Sequence, residues 1–333
     1  MKAIIFHPSK AMGDRLFISW VPKFLKRKQD VKKVHFATFK KNLCIIENNP
    51  FINKIIHLED YGERNCIEVL AEFEKEYDIV YDLRHHVEGR CLEFTTDKNS
   101  SIQKRRDKAK GINYYDAYRD YNLVGGKPEI YLTTRELQTL RKYRDGKKRI
   151  LWHSEGSGRN KKLSYMPGYI RWVLDNHPDI ENWIAGTGDS AFPIFDERLV
   201  NMLGKWSGRE ALVMTGMFNL VVGPESFFIN AACAHEVPTL TFYSHSLPEN
   251  LTGNFKNAYW VQPKCDCHPC YCIRKEWRTV YDLDRRRLAR EKEKECLAMD
   301  PNDLYRVLGY KCCVEIDHNE VVSKLSEIIQ GWH

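Results

Sequence analysis

Residues 219–243 read NLVVGPESFFINAACAHEVPTLTFY, two short apolar runs separated by a segment of helical length. NLVVG (219–223) has the β-branched composition of a buried strand, SFFINAACAH (226–235) suits a helix, and PTLTFY (238–243) is a second strand. Two strands joined through a helix lie parallel, because a tight hairpin cannot connect them. A parallel sheet needs both faces covered, which predicts an α/β fold.

The same alternation extends outward in both directions. Upstream, RILWHSEG (149–156) is a strand entering a glycine-rich loop, MPGYIRWVLDN (166–176) a helix, NWIAG (182–186) a strand and REALVMTG (209–216) a helix. The first half repeats the plan. KAIIFHP (2–8), KVHFAT (33–38), NKIIHLE (53–59) and DIVYDLR (78–84) read as strands, with helices over DRLFISWVPKFLKRK, KNLCIIEN (41–48) and residues 65–75. A kink is expected at Pro22. Residues 98–110, KNSSIQKRRDKAK, show no core-forming pattern and read as a mobile basic loop. The segment from Pro128 to Lys148 crosses between halves, a charged helix is expected near 284–298, and NEVVSKLSEIIQ (319–330) is an amphipathic helix.

The organisation predicted is therefore two Rossmann-like domains, residues 1–130 and 149–315, followed by a C-terminal helix in 316–333. At 333 residues, with 43% hydrophobic and 12% aromatic residues, the chain can bury two cores. A net charge of +7 is compatible with anionic partners or with ordinary surface lysines. The opening MKAIIFHPSKAMGDR lacks the apolar length of a signal peptide, and no stretch has the length of a transmembrane segment, so a cytoplasmic protein is expected.

In open parallel sheets, ligands bind beyond the carboxyl ends of strands, where helix N-termini present unpaired N–H groups. Three segments occupy such places. In AMGDRL, Gly13 permits a tight turn and Asp14 is either a helix cap or a general base at a cleft mouth. In HSEGSGRNKK (153–162), small residues including Ser157 precede Arg159, Lys161 and Lys162, a set that suits a diphosphate or a solvated basic turn. It does not have Walker A spacing. In the third, Glu225 and Ser226 open a helix whose first amides, at Ser226 and Phe227, suit a leaving diphosphate; the alternative is that Glu225 is an N-terminal carboxylate favoured by the helix dipole, with no ligand. Asp282 and Asp284 form a lone D-x-D that reads as a cap and a solvated face.

The GDRL turn, the phrase FKKNLCIIENNPFINKIIHLED and the GPES…NAACAHEVPTLTFYSHS block together resemble the ADP-heptose:lipopolysaccharide heptosyltransferase family, glycosyltransferase family 9. The resemblance runs to the KCCVEIDHNEVV tail, and SHSLPENLTGNF resembles a divergent branch seen in phage and environmental sequences. It implies a GT-B fold, two Rossmann-like domains facing across a cleft, and an inverting, metal-independent transfer from a nucleotide-diphosphate sugar such as a UDP- or ADP-sugar. By the same resemblance Asp14 is the base, Lys161 or Lys162 binds donor phosphate, and Glu225 contacts the donor sugar. The chain departs from the family in placing Phe227 where glycine is usual, which narrows the donor's approach.

Seven of eleven cysteines lie between Cys265 and Cys313. Cys267-x-x-Cys270 has zinc-ligand spacing, and the resemblance suggests Cys296 and Cys312 as partners in a structural zinc site; free thiols are the alternative. For the acceptor, six Lys or Arg in residues 98–110, Lys104, Arg105 and Arg106 among them, stand before Tyr114 and three further tyrosines. Basic residues beside aromatics suit DNA, or else the tyrosines pack a helix and the lysines are solvated; the reading leans toward a hydroxymethylated pyrimidine in phage DNA, as other phage GT-B enzymes use. The alternatives are a lipopolysaccharide precursor, as in the family, and a non-catalytic binding module on a transferase fold.

Overall fold

The computed structural model describes residues 1–41, 43–84, 102–187, 196–271, 297–300 and 303–332. Its amino-terminal sheet contains β1 (Lys2–Phe6), β2 (Lys33–Thr38), β3 (Lys54–His57) and β4 (Ile79–Asp82), in the order β3-β2-β1-β4 and parallel throughout. The alternation of side chains along β1 divides two cores. Ile4 and Phe6 pack with Leu70 and Phe73 of the Cys66–Glu76 helix, while Ala3 and Ile5 pack with Leu16 and Val21 on the other face.

The carboxy-terminal sheet contains β5 (Lys148–Trp152), β6 (Ile180–Ile184), β7 (Leu199–Asn201), β8 (Leu220–Pro224), β9 (Thr239–Phe242) and β10 (Ala258–Val261), in the order β10-β9-β8-β5-β6-β7. It too is parallel. The expected βαβ unit is present as β8, the Phe227–Ala234 helix and β9. The closing helix His318–Gln330 buries Val321, Leu325, Ile328 and Ile329, one stripe at helical spacing, against Ile150, Trp152 and Leu240.

In each sheet the strand order reverses once, between β1 and β4 and between β5 and β8. Such switch points open a crevice at the strands' carboxyl ends. The core around β1 continues into the second half through Phe17, Tyr115, Ala231, Tyr243 and Leu251, so the two halves share packed apolar contact.

Several local expectations change. The helix expected over 12–28 is two helices, Met12–Phe17 and Val21–Lys28, with Pro22 in the first turn of the second, where its missing N–H is harmless. Residues 41–48 yield a 3-10 turn, Leu43–Ile45, because the segment is too short to offset helix nucleation. The basic stretch expected as a loop contains the helix Ile102–Ala109. Its Arg105 donates to the Cys270 carbonyl (2.8 Å), and Arg106 to those of Pro269 (3.0 Å) and His268 (3.0 Å). Tertiary partners therefore order a segment with no hydrophobic face of its own. The fully buried Asn250 completes this strap, donating to the carbonyls of Ala109 (3.0 Å) and Ile112 (2.7 Å). The hairpin of β11 (Leu297–Asp300) and β12 (Asp303–Tyr310) was not anticipated, and most of the charged helix expected near 284–298 lies outside the described residues.

Candidate active site

The carboxyl ends of β5 and β8 approach each other closely. A Cβ on Gly223 would lie 2.3 Å from the His153 carbonyl oxygen, so only glycine permits this spacing. Between this edge and the Met12–Phe17 helix lies a cleft of about 340 Å³, lined by Asp14 and Phe17 from one half and by His153, Lys161, Glu225 and Ser226 from the other. Three of the segments singled out in the sequence thus meet at one place.

Asp14 is half-buried and sits in the first turn of its helix; the N-cap is Ala11, whose side chain caps nothing. The capping alternative for Asp14 is therefore not realised. Ser9 Oγ donates to Asp14 Oδ2 at 2.8 Å and accepts from the Ala11 amide at 3.2 Å. The next residue, Arg15, is fully buried and anchors the turn through the carbonyls of Ser9 (2.7 Å) and Lys41 (2.6 Å) and the Thr38 hydroxyl (2.6 Å). Gly13 is not required by a tight turn. It lies in the helix with no atom within 4 Å of the position its Cβ would take, so its effect is to keep the cleft wall clear.

On the opposite wall the 153–162 loop folds back on itself. Gly156 lies over the Lys161 stem so closely that a Cβ would come within 2.8 Å of it. This packing drives Lys161 inward, to 5% exposure, with Nζ 3.5 Å from Glu225 Oε1. Lys162 points outward and pairs with Glu155 at 3.0 Å. Ser157 is exposed at the cleft rim, and Arg159 belongs to the 3-10 turn Arg159–Lys161.

Glu225 is 4% exposed. Burial alone would raise its carboxyl, but the charges of His245 and Lys161, with hydrogen bonds from His245 and Ser246, outweigh that and hold it at about 2. His245 Nδ1 contacts Oε1, and Ser246 Oγ donates to Oε2. Ser226 is the N-cap of the Phe227–Ala234 helix, and its buried Oγ has no hydrogen-bond partner among the described residues. The first amides of that helix have no intrahelical acceptor and open toward the cleft. Phe227 lines the cleft and packs on Phe228 with ring centroids 5.3 Å apart. His153, at the end of β5, is lowered to about 4 by burial and is therefore neutral near pH 7.

No family model matches the chain, and no curated protein matches it in sequence. Solved structures do match its fold. A glycosyl transferase family 9 protein from Veillonella parvula aligns with a TM-score of 0.64 at 14% identity, covering 99% of this chain and 98% of its own. The E. coli ADP-heptose lps heptosyltransferase II aligns at 0.56 and 13% identity, over 88% of this chain and 98% of that one. A dodecameric iron-containing heptosyltransferase in complex with ADP-D-β-D-heptose aligns at 0.62 and 10% identity, over 99% and 78% respectively. The fold is GT-B. In its terms, the cleft above is the space between the two facing α/β halves.

Other expected residues are placed elsewhere. Tyr114, expected to bind an acceptor, is 1% exposed and packs in the core near Phe17, so it presents no surface to a ligand. Arg105 and Arg106 hold the 266–270 loop rather than facing the cleft, and Lys104 is exposed on the same helix. Cys265, Cys312 and Cys313 share a small buried cluster with Tyr310, against which Cys267 packs; Cys267 and Cys265 sulfurs are 3.7 Å apart. Among the described residues no group of three or more His, Cys, Asp or Glu is placed to hold a metal ion, so the expected zinc set is not assembled there. Cys296, Asp282 and Asp284 lie outside the described residues. No described helix is long and apolar enough to cross a membrane.

Sequence reading missed Arg15, His153, His245 and Ser246. The last two follow β9 as YSHS, beyond a strand's carboxyl end, the same rule that located the other loops.

Proposed function

We propose that this protein is a glycosyltransferase that takes its sugar from a nucleoside-diphosphate donor and passes it, with inversion, to a hydroxyl group. The observation that carries this reading is the pairing across one cleft of Asp14, on the amino-terminal wall, with Lys161, Glu225 and a helix N-terminus on the other. Asp14 accepts the proton of the acceptor hydroxyl as its oxygen attacks the anomeric carbon. The bond to the diphosphate breaks, and its electron pair moves onto a phosphate oxygen. Lys161 and the amides at Ser226 and Phe227 stabilise that charge, so the step needs no metal ion. The GT-B neighbours named as heptosyltransferases support an ADP-sugar donor.

For the acceptor, the burial of Tyr114 and the engagement of Arg105 and Arg106 remove three of the residues that favoured DNA. A sugar hydroxyl on a lipopolysaccharide-type precursor is the acceptor we propose. The test is mass spectrometry of transfer from ADP-heptose and UDP-glucose to a heptose-deficient lipopolysaccharide core and to hydroxymethylcytosine DNA, with Asp14→Asn as control. Transfer to the core, abolished in Asp14→Asn, supports the reading, and transfer to DNA alone replaces the acceptor. Equal background turnover by both proteins would leave a binding module.

A further inference from the structure

We propose that His245 and Ser246 are positioning residues that fix Glu225 as a reader of a single hydroxyl on the donor sugar. The inference rests on the donor reading above and adds to it the division of labour inside the carboxyl group. A carboxylate offers about four lone-pair sites. Oε1 is buried, and His245 Nδ1 and Lys161 Nζ, the latter at 3.5 Å, face it as ionic partners. On Oε2, Ser246 Oγ occupies one. One site on Oε2 is left, on a residue that lines the cleft.

The arrangement is rigid. His245 is 1% exposed and Ser246 is fully buried, and both lie in the buried turn 243–246 that follows β9, where packing leaves their side chains little freedom. The Tyr271 amide donates to the His245 carbonyl at 2.7 Å, fixing its backbone from the cysteine-rich side. Since Nδ1 faces a carboxylate it carries the proton. His245 Nε2 is buried and has no hydrogen-bond partner among the described residues, so the ring's polar contacts are made through Nδ1, to Glu225 and, at 3.4 Å, to the Ser244 hydroxyl. Glu225 thus selects a sugar by the position of one hydroxyl, while Lys161 and the helix amides take the diphosphate, common to all such donors.

Calorimetric binding of ADP-heptose and UDP-glucose, each against its matched diphosphate ADP or UDP, tests this with His245→Leu, His245→Asn and Ser246→Ala. An Asn amide can place an N–H where Nδ1 stands, and Leu cannot. We expect His245→Leu to weaken the preferred nucleotide sugar roughly tenfold or more, as for loss of a hydrogen bond to a charged group, with diphosphate affinity held within about twofold. His245→Asn should recover most of the loss, and Ser246→Ala should follow Leu in direction. Equal loss for sugar-linked and free diphosphate, or equal behaviour of Leu and Asn in folded protein, overturns the positioning role. Failure of the wild type to bind any nucleotide sugar overturns the donor reading itself.

Discussion

Lys161 and Glu225 face each other across 3.5 Å, both almost wholly removed from water, while the adjacent Lys162 is exposed. A buried pair of this kind depends on both members, because deleting one leaves the other charged in a poorly solvating environment.

Lys161→Ala is therefore expected to lower unfolding stability by about 3–5 kcal/mol, less whatever His245 compensates, and to weaken diphosphate binding. Lys162→Ala removes only a solvent-screened pair and should change stability by under about 1 kcal/mol. Urea denaturation and calorimetric titration with ADP check both. Matching effects of the two substitutions would mean that the loop does not hold Lys161 inward.

Arg15 anchors the turn that carries Asp14 through three hydrogen bonds, each expected to contribute about 1.5–3 kcal/mol when one partner is charged. Lys has no planar fork and cannot reproduce all three. Arg15→Lys should lower kcat with little change in donor KM, since the acceptor-side wall is displaced and the donor wall is not. A donor KM that rises with kcat unchanged would contradict this placement.

Acid should act on the fold in two steps. His7 and His153 are held neutral at about 3 and about 4, both chiefly by burial, against 6.5 for the free side chain. Between pH 6.5 and those values the unfolded chain binds protons that the folded one refuses, so stability falls as pH falls. Glu225 has the opposite charge logic and the same direction. Its contribution is complete above 4.5 and is lost as pH drops toward about 2. Urea denaturation from pH 7 to 3 should show a flatter upper slope in His7→Leu, whose native ring has no hydrogen-bond partner among the described residues. Glu225→Gln should flatten only the portion below 4.5. An unchanged profile in either variant would assign the slope to other groups.

The amino-acid sequence determined the two parallel α/β layers. Apolar runs such as KAIIF and NLVVG can be satisfied only as strands covered on both faces, and MPGYIRWVLDN, with its helical spacing, became the helix Met166–Asn176 without shift. Asp14, Lys161 and Glu225 were legible as candidates for a related reason, each lying in the segment that follows a strand's carboxyl end. What the chain order could not specify was which of two adjacent lysines turns inward. That depends on Gly156 folding over one stem, a contact made only after the loop closes. Nor could local pattern show that a basic stretch would form a helix. Its order comes from carbonyls at residues 266–270, some 160 positions away in sequence. Short-range periodicity records which groups avoid water; the partners of a buried charge are chosen only when distant segments meet.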